Sequence, residues 1–316
     1  MKSKSKDKII VMCGPTASGK TGLSIELAKI LNAEIISADS MQIYKELNIG
    51  TAKPTVKEMS GIPHHLIDII SINSDKSSSF SVADYVNLAD DCVCDILNRN
   101  KRVIICGGTG LYIDHFINNT KFTEYENDID YRLELEKLSG EYLHFMLSEA
   151  DKKSAEIIHP NNKKRIIRAL EIFKITGKTK SELDELSNLE ESRYDFVKIG
   201  LNYNDRENLY DRINKRVDLM IKDGLLEEAR ELYEKGEEDD IKRIGAIGYA
   251  ELLDYFNGLL KFDEAVEKIK QHTRNYAKRQ ITWFKRDAKT HWAEIDCVNN
   301  QDKIIKICLN YCDLQK

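Results

Sequence analysis

The sequence predicts an α/β protein, a parallel sheet core with a phosphate-binding loop and a helical insertion, on three observations. Short apolar runs alternate with helical patterns over the first hundred residues. A G-x-x-x-x-G-K-[ST] stretch, "GPTASGKT" at 14–21, stands between the first apolar run and the first helical pattern. Between 119 and 194 the alternation gives way to helices.

Taken in order, 9–13 reads as a strand, Lys20–Leu31 as a helix and 33–38 as a second strand. Residues 65–70 and 103–106 read as further strands around a helix over Val82–Asn98. That rhythm is one of parallel strands with helices on both sheet faces. Helical patterns follow at 131–138, 141–149, Lys163–Thr176 (closed by Gly177) and 179–186. A strand returns at 196–201 and the rest is mostly helical, including a long basic segment over 262–286. The expected architecture is a P-loop NTPase-like parallel sheet core over 1–118 and 195–316, with C-terminal helices, and a helical insertion domain over 119–194. Strand order is not readable from these patterns.

The 316 residues are 41% hydrophobic and 32% charged, an ordinary composition for a soluble protein. No apolar run approaches the roughly 20 residues of a membrane span, so a cytoplasmic protein without a membrane partner is expected. Seven scattered cysteines form no C-x-x-C pair and no Cys/His cluster at zinc spacing, so they are read as reduced and structural. Cys308 and Cys312 near the end lack accompanying histidines, and no zinc module is expected. The adjacent His64 and His65 point to opposite faces of a strand and have no third ligand nearby, which favours structural or substrate-lining roles. The net charge of −5 is uneven: 124–136 is acidic, while 161–168 and 273–289 are basic with interleaved aromatics. Such stretches form a local surface for a polyanion or solvated helix faces; composition leaves both open.

In the phosphate loop, Gly14 and Gly19 let the backbone approach an anion, and successive amides with the helix N-terminus supply a positive cavity. Lys20 adds a cation, and Thr21, with Ser18, offers a hydroxyl to Mg²⁺. A nucleoside triphosphatase also needs a strand ending in a Mg²⁺-organising Asp. The candidate strand, "RVIIC", ends instead in Gly107-Gly108-Thr109-Gly110, and no Asn-Lys-x-Asp tetrad is present. These absences argue against a switch GTPase more than against a small-molecule kinase. A carboxylate does stand after the second strand, Asp39. The carboxyl end of a parallel strand is where ligands bind in such sheets, so Asp39 is a candidate general base, with a turn or N-cap role as its alternative.

The segments "GPTASGKT", "ISADSMQIYKELNIGTAKP", "GIPHHLIDI", "CGGTGLYI", "HPNNKKRIIRALEI", "GKT", "IGYAEL" and "YAKRQITWFKRD" occur in the order found in bacterial tRNA dimethylallyltransferases, and the chain resembles that family over nearly its whole length. The resemblance implies transfer of a dimethylallyl group from dimethylallyl diphosphate to N6 of the adenosine 3′ of a tRNA anticodon, assisted by Mg²⁺. It implies that Gly14, Pro15, Thr16, Ala17, Ser18, Gly19, Lys20 and Thr21 hold the diphosphate, with Thr21 on Mg²⁺. Asp39 is then similar to the family's catalytic Asp, with Lys20 and Thr109 beside it, and Ser40, Met41, Gln42 and Thr109 meet the tRNA. The target base is expected to flip out of the loop into a channel.

Further RNA contacts are implied for the anticodon stem-loop at Arg132, at Lys164, Arg165, Ile166, Ile167 and Arg168, and at Gly245, Ala246, Ile247, Gly248, Tyr249 and Ala250. Lys278, Arg279, Gln280, Trp283 and Lys285 complete the set, Trp283 and Phe284 having core packing as their alternative. The turn at 245–250 lacks the arginines that some relatives place there. A monomer is the expectation. Outside the resemblance, a kinase, a prenyltransferase acting on free adenylate and a non-catalytic RNA-binding module remain open; the last leaves Asp39 without a task.

Overall fold

The computed structural model describes residues 8–74, 77, 80–120, 128–187, 191–298 and 301–312. The chain divides into two compact units, Met1–Ile117 with Tyr194–Lys316, and Asn118–Arg193.

The first unit is built on six strands: β1 (Lys8–Cys13), β2 (Ala33–Ser37), β3 (His64–His65), β4 (Arg102–Gly107), β5 (Asp195–Asn202) and β6 (His291–Glu294). Their order is β3-β2-β4-β1-β5-β6 and every pairing is parallel. A sheet covered on both faces needs strands that are apolar throughout. In "KIIVMC", Ile10 and Met12 enter one core cluster, whereas Ile9, Val11 and Cys13 enter the other on the opposite face. Helix α1 (Lys20–Leu31) packs into the first cluster and the capped helix Val82–Asn98 into the second.

A third apolar cluster joins Ile43, Tyr44 and Leu47 to helices of the C-terminal part. These are Arg206–Lys222, Leu225–Glu234, Glu238–Ile244, Tyr249–Phe256 and the 23-residue Phe262–Phe284. Among the described residues, no helix is long and apolar enough to cross a membrane.

Two expectations change. The strand expected at 65–70 is only His64–His65, because Leu66 and Asp68 have φ of 60° and 57°, which takes the chain out of extended geometry. The sheet also gains β6, whose four residues, "HWAE", are too short and mixed for a periodic signal.

At the start of β2, buried Glu34 accepts hydrogen bonds from Arg99 and Lys101 and lies 2.8 Å from His65 Nε2. The Arg99 hydrogen bonds hold its carboxyl well below the usual carboxylate range. His65 is therefore tied into an ion-pair network. Among the described residues no group of three or more His, Cys, Asp or Glu side chains is placed to hold a metal.

The second unit contains helices Ile129–Glu136, Gly140–Ala150, Lys152–Ile157, Lys163–Thr176 and Lys180–Ser187. Leu135, Leu143, Leu147, Ile166 and Leu170 are among the residues of its own core. Gly177 closes the fourth of these helices in the left-handed region, at φ 68°, as its position in the sequence suggests.

Candidate active site

Three loops leave the carboxyl ends of adjacent strands and meet: 14–21 after β1, 38–42 after β2 and 107–110 after β4. The phosphate loop alternates in hand, with φ of 142° at Gly14, 62° at Ala17 and 85° at Gly19. A Cβ on Gly14 would lie 2.5 Å from Leu201 O on β5, so the loop has room there for glycine alone. The Ser18 hydroxyl is buried with no protein partner. Lys20 Nζ donates to Gly14 O and Pro15 O at 2.9 and 2.7 Å, folded back onto its own loop.

The 107–110 loop lies against the Asp39 segment: Thr109 N donates to Ala38 O at 3.0 Å, and Ser40 N donates to Thr109 Oγ1 at 2.9 Å. A Cβ on Gly107 would fall 2.1 Å from Ala38 O, which explains the glycine where a triphosphatase would begin its acidic segment. Asp39 Oδ1 accepts from Met41 N at 2.9 Å, an Asx turn that holds the carboxylate in place. Gln42 accepts from Ser37 Oγ and so braces the same turn.

These loops line a cavity of about 410 Å³. Asp39 is the one acidic side chain among its lining residues; Lys20, Arg212, Lys215 and Arg216 are the cations. Sequence reasoning missed the last three. They project from one face of helix Arg206–Lys222 at i, i+3 and i+4 spacing. That stripe is visible in the sequence, but nothing local brings its helix to the phosphate loop. Arg212 Nε donates to Ala17 O at 3.1 Å, while Arg216 Nε is buried without a protein partner. Buried donors with no partner are costly, and two such groups, on Ser18 and Arg216, in one cationic cavity suit an anionic ligand.

A second cavity of about 230 Å³ shares Thr16, Asp39, Thr51, Arg216 and Tyr276 with the first. Its remaining lining is more apolar, with Met41, Met220, Leu225, Ile247 and Ile269. Asp39 thus stands where the phosphate-loop chamber meets one with a more apolar lining, which Arg216 and Arg279 also enter. Burial pushes the Tyr276 hydroxyl well above the usual phenol range, aided by the Asp39 charge; Thr109 and Gln280 are its hydrogen-bond partners.

Several side chains expected at an RNA surface prove to be structural. Gln280 is buried: its Oε1 accepts from Thr16 N at 2.8 Å and its Nε2 donates to Gly108 O at 3.0 Å, stitching two of the three loops together. Trp283 donates through Nε1 to Asp114 Oδ2 at 2.6 Å and lies against Gly110, where a Cβ would come within 2.3 Å of its ring. Ala246 and Tyr249 are buried in the third cluster, as are Ile166 and Ile167 in the core of the helical unit. Of these, Ala246 also lines the second cavity with its turn, whereas the Tyr249, Ile166 and Ile167 side chains pack internally. Lys164, Arg165, Arg168, Lys278, Arg279 and Lys285 are exposed, and Arg279 and the 245–248 turn line the second cavity. Within the helical unit, Arg132 is paired with buried Glu171 through Nε and Nη2 at 2.7 Å each. Ala250 is half-buried on the first turn of its helix.

Two expected outcomes follow from this geometry. Gln280→Leu removes both stitches at similar volume and should raise the KM for a diphosphate ligand by about tenfold, the scale of one or two lost buried hydrogen bonds. Steady-state kinetics at saturating co-substrate check it. The second concerns Lys20, whose pKa burial pushes down to about 8, with Arg216 adding to the shift and Asp39 opposing it. Its charge is nearly full about one unit below that value, half lost at it and mostly gone one unit above, so diphosphate affinity of the free protein should fall between pH 7 and 9. Lys20→Arg keeps its charge and should flatten that profile; titration calorimetry at three pH values is the measurement.

Known proteins resemble this chain over most of its length. The family model described as IPP transferase matches residues 42–287. The chain is 46% identical over 306 residues to the tRNA dimethylallyltransferase of Halalkalibacterium halodurans, covering 96% of each chain. It is 49% identical over 296 residues to that of Bacillus subtilis, covering 92% of each. Among solved structures, the full-length tRNA isopentenylpyrophosphate transferase of Bacillus halodurans aligns with a TM-score of 0.73 at 43% identity, over 98% of this chain and 97% of that one. A eukaryotic dimethylallyltransferase acting on tRNA aligns with a TM-score of 0.82 at 28% identity, over 98% of this chain and 80% of that one. With similarity running through both units of the chain, this protein belongs to the IPP transferase family.

Proposed function

We propose that this protein is a tRNA dimethylallyltransferase, moving the C5 group of dimethylallyl diphosphate to N6 of the adenosine 3′-adjacent to the anticodon. The observation that carries the reading is the position of Asp39 at the junction of two cavities, one lined by residues 16–21 of the phosphate loop and the other touching that loop only at Thr16. The cationic chamber takes the donor diphosphate, and the acceptor adenine reaches Asp39 from the apolar one.

In the reaction, the N6 lone pair forms a bond to C1 of the donor while the C1–O bond breaks and its electron pair departs with the diphosphate. Charge builds on the leaving oxygens beside the loop and Arg216, and Lys20 swings from the loop carbonyls to meet it; such electrostatic stabilisation commonly dominates catalysis. The N6 proton passes to the Asp39 carboxylate. Thr109 fixes the Asp39 segment through Ser40 N. The Thr21 and buried Ser18 hydroxyls at the loop are the groups that would hold Mg²⁺ beside the diphosphate. When bound there, Mg²⁺ neutralises diphosphate charge. Exposed Lys164, Arg165, Arg168, Lys278, Arg279 and Lys285 supply phosphate contacts to the anticodon stem-loop.

The test offers the protein an unmodified anticodon stem-loop with dimethylallyl diphosphate, and separately ATP as donor or AMP as acceptor, each with Mg²⁺. A mass gain of one C5 unit on the RNA is expected in the first mixture alone. Phosphorylation from ATP, or prenylation of AMP but not of RNA, overturns the reading.

A further inference from the structure

Loop 48–51 and turn 245–248 contribute walls to the second cavity, yet the side chains that hold them lie outside both cavities. The backbone N–H groups of Asn48, Ile49 and Gly50 converge on the carboxylate of Glu228, at 3.2, 2.9 and 3.4 Å. Successive amides in this arrangement make an anion-binding hollow; here the anion is supplied by the protein itself. The Tyr249 hydroxyl donates to Glu228 Oε1 at 2.5 Å and accepts from Gly50 N at 3.1 Å. Tyr249 is fully buried, and a Cβ on Gly50 would come within 2.5 Å of its ring, so the loop rests directly on the tyrosine.

The connections extend to every side of that wall. Glu228 belongs to helix Leu225–Glu234, whose first residue lines the second cavity. Tyr249 begins its helix immediately after Gly248, the last residue of the lining turn. One carboxylate and one phenol therefore join three chain segments that also meet in the third apolar cluster. A second clip acts on the same turn: Gly248 N donates to Glu251 Oε2 at 2.7 Å, and Glu251 Oε1 lies 2.5 Å from His272 Nδ1.

We propose that Glu228 and Tyr249 are positioning residues for the RNA acceptor, holding Gly50 and the 245–248 turn at the spacing that admits the target base to Asp39. The proposal rests on the reading that the acceptor approaches through the second cavity. Neither side chain lines the phosphate-loop cavity, and their hydrogen bonds go to segments other than 14–21. Their loss therefore acts chiefly on the acceptor, since loop 48–51 gives the phosphate-loop cavity Thr51 alone.

The experiment uses the full chain with dimethylallyl diphosphate and an anticodon stem-loop, and measures both KM values and kcat, together with amide hydrogen exchange. Tyr249→Phe keeps the ring and its packing while removing the hydroxyl. Glu228→Ala empties the hollow, and Glu228→Gln restores its shape and one accepting oxygen. Tyr249→Phe should raise the RNA KM about tenfold and Glu228→Ala more, with Glu228→Gln recovering part of the loss and the donor KM staying within about twofold. Exchange at Ile49 and Gly50 should quicken while the 14–21 amides are unaffected. If wild-type protein transfers the C5 group but Tyr249→Phe and Glu228→Ala leave the RNA KM unchanged, or raise both KM values equally, the positioning role is overturned. If wild-type protein transfers nothing to the stem-loop, the functional reading beneath it falls, and the acceptor role with it.

Discussion

Asp39→Asn should lower kcat by about 10²- to 10⁴-fold, the usual range for loss of a positioned general base, with both KM values nearly unchanged. The asparagine variant is the informative one. Asp39 Oδ1 accepts from Met41 N, and an asparagine carbonyl oxygen accepts the same hydrogen bond, so the turn and its neighbours Ser40 and Thr109 stay in place. What Asn cannot do is take the proton that N6 must lose. Asp39→Ala, by contrast, removes the turn as well and would confuse the two roles. Single-turnover measurements with enzyme in excess separate the chemical step from product release. Wild-type rates in Asp39→Asn would reduce Asp39 to a turn residue and would move the proton acceptor elsewhere.

Lys20→Met should reduce kcat by about 10²- to 10³-fold and also weaken donor binding, the scale seen when one preorganised donor to a developing oxyanion is lost. Methionine preserves most of the side-chain length, so the loss reports on charge. The ammonium has two positions to choose between. Without ligand it donates to Gly14 O and Pro15 O; with a diphosphate it must swing toward the anion, and the loop carbonyls release it. Arg216 is the second cation at this point, and its buried, unpartnered Nε gives it a comparable role. Arg212 is already engaged with Ala17 O and keeps the loop's shape. Arg216→Met should therefore approach Lys20→Met in severity, and Arg212→Met should fall well short of it. Donor KM and kcat measured across the three variants give the ranking.

How much of this is visible in the chain depends on how local each feature is. The phosphate loop, its strand and its helix occupy one continuous stretch, and Asp39 follows an apolar run that needs no partner to be read as a strand. The order β3-β2-β4-β1-β5-β6 is set by pairings between distant segments, and no pattern within 33–38 or 103–106 announces that β4 lies between β2 and β1. β3 ends early because two non-glycine residues take positive φ, a choice made by the surrounding loop. The cationic stripe at Arg212, Lys215 and Arg216 has the spacing of an ordinary solvated helix face and comes to line the phosphate-loop cavity only through packing.

Gln280 is a different case. It stands between exposed charges, and those neighbours draw it toward the RNA surface. Yet Ala277, Gln280 and Phe284 share the 3–4-residue spacing of one buried stripe on the long helix, and all three are buried. That periodicity was available in the sequence and marks a polar residue in need of internal partners, which Thr16 N and Gly108 O provide. Tyr249 follows the same logic, since Leu252 and Leu253 continue its buried face.

In the proposed reaction the phosphate loop serves the departure of a carbon group rather than the transfer of phosphorus. Dimethylallyl diphosphate carrying ¹⁸O in the bridge between C1 and phosphorus tests it most directly, with the products of one turnover analysed by mass spectrometry. Cleavage of the C1–O bond places all of the label in the released diphosphate and leaves the modified RNA free of it. Recovery of the label on the C5 product, or of phosphorus on the RNA, would rule that reaction out.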